Sequence, residues 1–241
     1  MEIIKLFLGN KDNVKVCLKH TPLCFNVRNV MDIWSIKETF LDDFYQFEYC
    51  EHPKGGVIID IGAGIGEFTI QAAAACPDSK VYGFEPFPES ASYFKQNILI
   101  NTLQNVEAIV AAVTSLPGAM VIDTSSGNPL QYRTQMNNQD GDPVVTVQLS
   151  DFLRSKDLSE IELVKIDCEG GEYDILLPLS KEDLRRFKRI TMEYHNHLTA
   201  HHHSEIIHKL SDAGFSVKEE PSPVHSYLGY IYAQRDDFLH G

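Results

Sequence analysis

The sequence predicts an α/β fold, a mostly parallel sheet with helices packed on both faces. Two observations carry that expectation. Short apolar runs such as Val57 to Ile61 and Leu163 to Ile166 have the composition of strands buried on both faces. Segments with helical spacing of apolar residues separate such runs, so strand–helix–strand units repeat along the chain, and repeats of that kind build parallel sheets with right-handed crossovers.

Composition sets outer bounds. The chain has 241 residues, 43% hydrophobic and 23% charged, which are globular proportions. That length suits one domain with a small appendage. The expected division is an N-terminal appendage over 1–50, a candidate cofactor lid, and a main domain over 51–241. No stretch approaches the ~20 apolar residues of a membrane span. The apolar run after Glu2 reads as too short for a signal peptide. A net charge of −13 argues against nucleic acid as a partner, which wants a basic face. Cys17, Cys24, Cys50, Cys76 and Cys168 are odd in number and scattered, with no Cys-x-x-Cys pair. Reduced thiols and a cytoplasmic location are the expectation. Cys168 lies between Asp167 and Glu169, and such neighbours suppress a thiolate, so a catalytic cysteine is not expected.

The elements follow in order. Ile3 to Leu8, Val14 to Leu18 and Cys24 to Val27 read as a small entrance sheet, with a turn at Gly9 to Asn13. Apolar residues at Ile33, Ile36, Phe40, Phe44 and Phe47 predict a helix from Met31 to about Tyr49, ended by the Pro53-Lys54-Gly55-Gly56 group. Strand Val57–Ile61, helix Glu67–Ala75, strand Lys80–Phe84 and helix Pro88–Asn101 come next, and then a strand over Val106–Val113. Residues 114–142 read as a polar surface excursion with an extra strand at Ala119–Ile122 and a hairpin returning at Val144–Leu149. Leu163–Ile166 and Arg189–Tyr194 are further strands. Ser204–Ala213 is a helix closed by Gly214, and Phe215–Lys218 pairs with Tyr227–Ala233 in a closing antiparallel pair.

In such a sheet the ligand lies beyond the carboxyl ends of the strands, at the point where strand order reverses. Those ends are Asp60, Glu85, Asp167, Glu193 and His195. The turn after the first strand, Gly62-Ala63-Gly64-Ile65-Gly66-Glu67, bends sharply and lets a ligand approach the backbone. A dinucleotide fingerprint would place glycine where Glu67 stands, and a carboxylate at that helix start repels a pyrophosphate. No Gly-Lys-Ser/Thr follows, so a nucleotide-triphosphate loop is excluded too. S-adenosylmethionine (SAM) fits: it carries a sulfonium and an ammonium, a ribose diol and no phosphate. Glu85, one strand–helix–strand unit on, supplies the acceptor pair for the diol.

A second acidic cluster follows the strand at Leu163–Ile166. Asp167, Glu169 and Glu172, with Glu193 and His195 at the next strand end, are the residue types that a proton acceptor or a hard cation requires. His195 is the first choice for the base, poised near neutral pH and oriented by Glu193 or Asp167. The rival is a divalent cation held by Asp167 and Glu193. His201, His202 and His203 match no tight metal spacing and read as a solvated stretch. The helix carrying Trp34, Phe40, Phe44 and Tyr45 is a candidate cap over the cofactor.

With those residues in place, the chain resembles the FkbM-type methyltransferases, a branch of the class I SAM-dependent enzymes. The matching pieces are Val57–Thr69, Phe84-Glu85-Pro86, Ser150-Asp151-Phe152-Leu153, Val164–Glu172 and Glu193-Tyr194-His195. They run in family order over about 30–235, and the Lys-Ile-Asp-x-Glu-Gly form at 165–170 is the most distinctive. The resemblance implies a Rossmann-like, seven-stranded sheet whose last strand is antiparallel. It implies methyl transfer to a hydroxyl of a small molecule, often a sugar or secondary metabolite. By carry-over Gly62, Gly64 and Glu67 line the methionine end, Glu85 takes the ribose, and Ala111 and Ala112 flank the adenine. The full expected cofactor set adds Asp60, Gly66, Phe68, Pro86 and Asp167; the expected catalytic set is His195, Asp167 and Glu193. The alternatives are an NAD(P)-dependent oxidoreductase and a catalytically silent SAM-binding scaffold.

Overall fold

The computed structural model describes residues 14–47, 54–115, 120–123, 133–136 and 143–238. The first half contains β1 (Val14–Cys17), β2 (Cys24–Val27), α1 (Val30–Lys37) running into a π-helical turn (Glu38–Asp42), β3 (Gly56–Ile61), α2 (Glu67–Ala75), β4 (Ser79–Phe84), α3 (Pro88–Ile100), β5 (Val106–Ile109) and β6 (Ala112–Thr114). Next come β7 (Met120–Asp123), β8 (Arg133–Met136), β9 (Pro143–Val144), β10 (Thr146–Gln148) and α4 (Leu149–Ser155). The chain closes with β11 (Leu163–Ile166), α5 (Glu172–Leu176), α6 (Lys181–Leu184), β12 (Arg189–His195), α7 (His203–Asp212), β13 (Phe215–Pro221) and β14 (Leu228–Arg235).

Seven strands form the central sheet in the order β13-β14-β12-β11-β3-β4-β5. β3, β4, β5, β11 and β12 run parallel. β14 is antiparallel to both of its neighbours. The chain leaves β3 outward to β4 and β5, then returns to lay β11 on the other side of β3. Strand order therefore reverses between β3 and β11, where crossover helices diverge and leave a crevice. The burial of β3, β4 and β11 explains their unbroken apolar sequences: Ile58, Ile59, Val81 and Val164 are fully enclosed. Phe152 of α4 meets the Tyr82 and Phe84 rings edge-on at 5.1 and 5.0 Å.

Several elements differ from the sequence expectation. The helix expected to reach Tyr49 stops at Asp42, because Asp43 adopts a left-handed conformation (φ 47°); Tyr49 and Ile3–Leu8 lie outside the described residues. The expected strand Val106–Val113 divides, and its second part, β6, pairs in parallel with β10 apart from the main sheet. β9 makes the antiparallel return onto β7, whereas Leu149 already begins α4. The short helices α4, α5 and α6 were not expected; with one or two turns each, they show too little periodicity to read.

Residues 14–42 pack onto the main domain. Phe25, Val27 and Ile36 share a core with Ile65 and Ile70. Asn97 of α3 and Asn101, which caps it, accept from the Asn26 and Cys24 amides at 2.7 and 2.9 Å. Cys17 and Cys24 face one another across the β1–β2 pair and form a disulfide. This corrects the expectation of reduced thiols throughout: hairpin register juxtaposes two cysteines whose linear spacing matches no motif. Cys76 and Cys168 are free, and Cys50 lies outside the described residues. Among the described residues no helix is long and apolar enough to cross a membrane.

Candidate functional site

A cavity of about 330 Å³ opens where the carboxyl ends of β3, β4, β11 and β12 meet α1. Its floor is the turn after β3. Gly62 has φ +81°, and a Cβ there would stand 1.6 Å from the Asp167 carbonyl oxygen, so only glycine lets the ends of β3 and β11 come this close. The Gly62 and Ala63 amides donate to the Phe84 carbonyl at 3.0 and 2.9 Å, tying the turn to β4.

Glu85 closes one side. Its Oε2 accepts from the Gly64 amide and its Oε1 from the Phe87 amide, both at 2.8 Å. Burial pushes its carboxyl up to about 7, against those two hydrogen bonds and the Arg28 charge. Glu67 begins α2. Its Oε1 accepts from the Ser35 hydroxyl of α1, and its buried Oε2 has no hydrogen-bond partner. Burial raises Glu67 to about 7 as well.

Beneath the turn lies a buried ion pair. Asp60 is fully enclosed; it accepts from the Thr69 hydroxyl at 2.6 Å and meets Lys165 Nζ at 3.1 Å. Lys165 also donates to the Gly62 carbonyl at 2.7 Å. Asp60 thus supports the turn from below and does not line the cavity. Gly66 and Phe68 do not line it either. Gly66 turns against Phe94, and Phe68 packs edge-on to Tyr45 and Phe47 at 5.6 and 5.5 Å. Gly62, Gly64, Glu67, Glu85, Pro86, Ala111, Ala112, Asp167, Glu193 and His195 all line the cavity. Lys165 received no role from the sequence, although a lysine inside an apolar strand signals a buried partner.

The second group stands at the ends of β11 and β12. Asp167, Glu193 and His195 each offer one ligating atom within 4.8 Å of the others. The Tyr45 hydroxyl donates to Asp167 Oδ2 at 2.7 Å. Burial raises Glu193 well above the usual carboxylate range, and the Asp167 charge adds to this. His195 has its Nδ1 at 2.8 Å from Glu172 Oε1 and its Nε2 at 3.6 Å from Glu169 Oε2. Burial pulls its pKa down, yet Glu172, Glu169 and Asp167 outweigh burial and lift it to about 10. His195 is therefore protonated at neutral pH, and its ring is bonded to Glu172 rather than to Glu193 or Asp167. Cys168 also lines the cavity; burial and then Glu172 and Asp167 hold its thiol protonated.

The cap is divided. Trp34, Ser35, Glu38 and Tyr45 line the cavity, while Phe40 turns to Phe25 and Phe44 to Tyr230. Of the clustered histidines, His197 joins the wall beside Tyr227. His201, His202 and His203 gather around the start of α7, where His202 caps the helix.

This strand order, its antiparallel member, the glycine turn and the carboxylate after the next strand define a class I SAM-dependent methyltransferase. The chain belongs to the FkbM methyltransferase family, whose "Methyltransferase FkbM domain" model matches residues 60–217. It is 26% identical over 218 residues to the 31-O-demethyl-FK506 methyltransferase FkbM of Streptomyces tacrolimicus, covering 78% of this chain and 83% of that one. It is also 26% identical over 178 residues to Methyltransferase 1 of Beauveria bassiana, covering 65% and 71%. Among solved structures, the magnesium protoporphyrin IX methyltransferase of Synechocystis with bound SAM aligns at TM-score 0.49 and 14% identity, over 86% of this chain and 83% of that one.

Proposed function

We propose that the protein transfers the methyl group of SAM to a hydroxyl of a small molecule, a sugar or a secondary metabolite. The observation that supports this most is the meeting, in one cavity, of the Gly62–Glu85 cradle with Asp167, Glu193 and His195. Glu85 receives the ribose hydroxyls. The unpartnered Glu67 oxygen faces the cationic methionine end with Gly62 and Gly64. Pro86, Ala111 and Ala112 flank the adenine, and within the N-terminal appendage the stretch carrying Trp34, Ser35, Glu38 and Tyr45 acts as the lid.

In the reaction the acceptor oxygen attacks the methyl carbon, and the carbon–sulfur bond breaks with its electron pair going to sulfur. S-adenosylhomocysteine (SAH) leaves, and the acceptor proton passes to the Asp167–Glu193–His195 group. Alignment within about 3 Å and exclusion of water supply much of the acceleration. The incoming sulfonium disfavours the imidazolium, so His195 releases its Nε2 proton to solvent as SAM binds, and the freed Nε2 then takes the acceptor proton.

The spacing of those three side chains favours a second reading for the same step, a divalent cation. An imidazole with its far nitrogen bonded to a carboxylate fits such a site. Bound there, the cation would lower the pKa of the acceptor hydroxyl. Dialysis against EDTA separates the two: loss of activity restored by magnesium supports the cation, and full retention supports the histidine. Methyl-labelled SAM offered with a panel of glycosides and polyketide alcohols tests the whole reading. Label in an ether linkage supports it; label on nitrogen or carbon overturns O-methylation.

A further inference from the structure

We propose that Glu172 is the positioning residue that holds the His195 ring with Nε2 toward the cleft. This rests on the reading of the cavity as the methyl-transfer site, and it applies whether His195 serves as base or as ligand, since both use Nε2.

Glu172 begins α5 and is completely enclosed. Its Oε1 lies 3.2 and 3.3 Å from the Cys168 and Gly170 amides, which donate to it, and 2.8 Å from His195 Nδ1. An oxygen that already accepts from two backbone N–H groups accepts from the ring as well, so Nδ1 carries its hydrogen toward Glu172. The opposite nitrogen is thereby aimed at the cavity, near Glu169, Asp167 and Glu193. His197 is the next ring along, 6.3 Å away centroid to centroid.

Two features set Glu172 apart from an ordinary turn residue. Its Oε2 is buried without a hydrogen-bond partner, a cost that packing by itself would have removed. The Cys168-Glu169-Gly170-Gly171 turn that delivers it also passes through two consecutive left-handed residues, Glu169 (φ 51°) and Gly170 (φ 96°). Left-handed backbone at a non-glycine residue persists where surrounding structure demands it. The turn wraps its amides around the same oxygen that the histidine uses.

The test is proton and nitrogen NMR of histidine-labelled protein, run with and without SAH, with SAH affinity measured separately by calorimetry. The wild type is expected to show one slowly exchanging Nδ1–H resonance, assigned by its loss in His195→Gln. Glu172→Gln keeps it, because an amide oxygen accepts from the same donors; Glu172→Leu loses it, with SAH affinity unchanged in both. Absence of the resonance in wild type, or its survival in Glu172→Leu, overturns the proposal. So does an equal loss of SAH binding in both variants, which would mark a purely structural residue. Should Glu172→Leu fail to fold, wild type, His195→Gln and Glu172→Gln still decide. Failure of the wild type to bind SAH would instead strike the methyl-transfer reading, and the ring assignment is read from cofactor-free spectra.

Discussion

The Gly64 amide donates to Glu85 Oε2 at 2.8 Å, joining the turn after β3 to the end of β4. A single carboxylate thus ties the turn after β3 to the end of β4, and in the proposed reading its remaining lone pairs accept from the ribose hydroxyls. Sequence distance hides this link; the parallel pairing of β3 and β4 creates it.

Replacing Glu85 with alanine should weaken SAM binding about a hundredfold or more, since two charge-assisted hydrogen bonds are each worth roughly 1.5–3 kcal/mol. Calorimetry reads this directly, and an unchanged affinity would remove Glu85 from the cofactor site.

Binding should also release protons. Glu85 and Glu67 titrate near 7 in the free protein because they are buried, against about 4.3 in an unfolded chain. Between those values the folded state holds the extra protons, so cofactor-free stability falls as pH rises from about 4.5 through 7. Cofactor affinity moves the other way, rising with pH over 6 to 8, because diol and cation prefer ionised carboxylates. Titrations at pH 6.5 in buffers of different ionisation enthalpy count the protons released; a buffer-independent heat would contradict the assignment.

Lys165→Met should destabilise the protein by about 3–5 kcal/mol, the usual consequence of leaving one member of a buried ion pair alone. Asp60 would lose its ion-pair partner, and the Gly62 carbonyl would lose the ammonium that donates to it. Urea denaturation measures the loss, and a shift under 1 kcal/mol would mean that water reaches Asp60.

Cys17→Ser should cost roughly 2 kcal/mol through loss of the short cross-linked loop. Iodoacetamide labelling of protein purified without reductant is expected to leave Cys17 and Cys24 unmodified. Labelling of both would restore the expectation of reduced thiols.

Much of the fold was legible because its signals are local. Apolar runs the length of one strand, the glycine turn and the acids at or just past β3, β4 and β11 are written in contiguous residues, and β3, β4, β11 and β12 fall where those signals put them. The division of Val106–Val113 into two strands was not legible: continuous apolar sequence does not record which partner each half will pair with. The early end of the expected 31–49 helix was missed for a similar reason: just past it, Thr191 and Tyr232 of the main sheet donate to the Tyr45 and Phe44 carbonyls, partners that no local pattern records.

The sequence by itself determined an α/β sheet, a glycine turn after its first central strand, a carboxylate at Glu85 after the next, and a second acidic group around Asp167. Only the tertiary structure decided which of these groups meet. It put Lys165 under Gly62, Tyr45 on Asp167, Glu172 behind His195 and Cys17 against Cys24. Periodicity and turn chemistry act over a few neighbouring residues. Side-chain partnership between distant segments depends instead on strand register and crossover path, which only the packed chain settles.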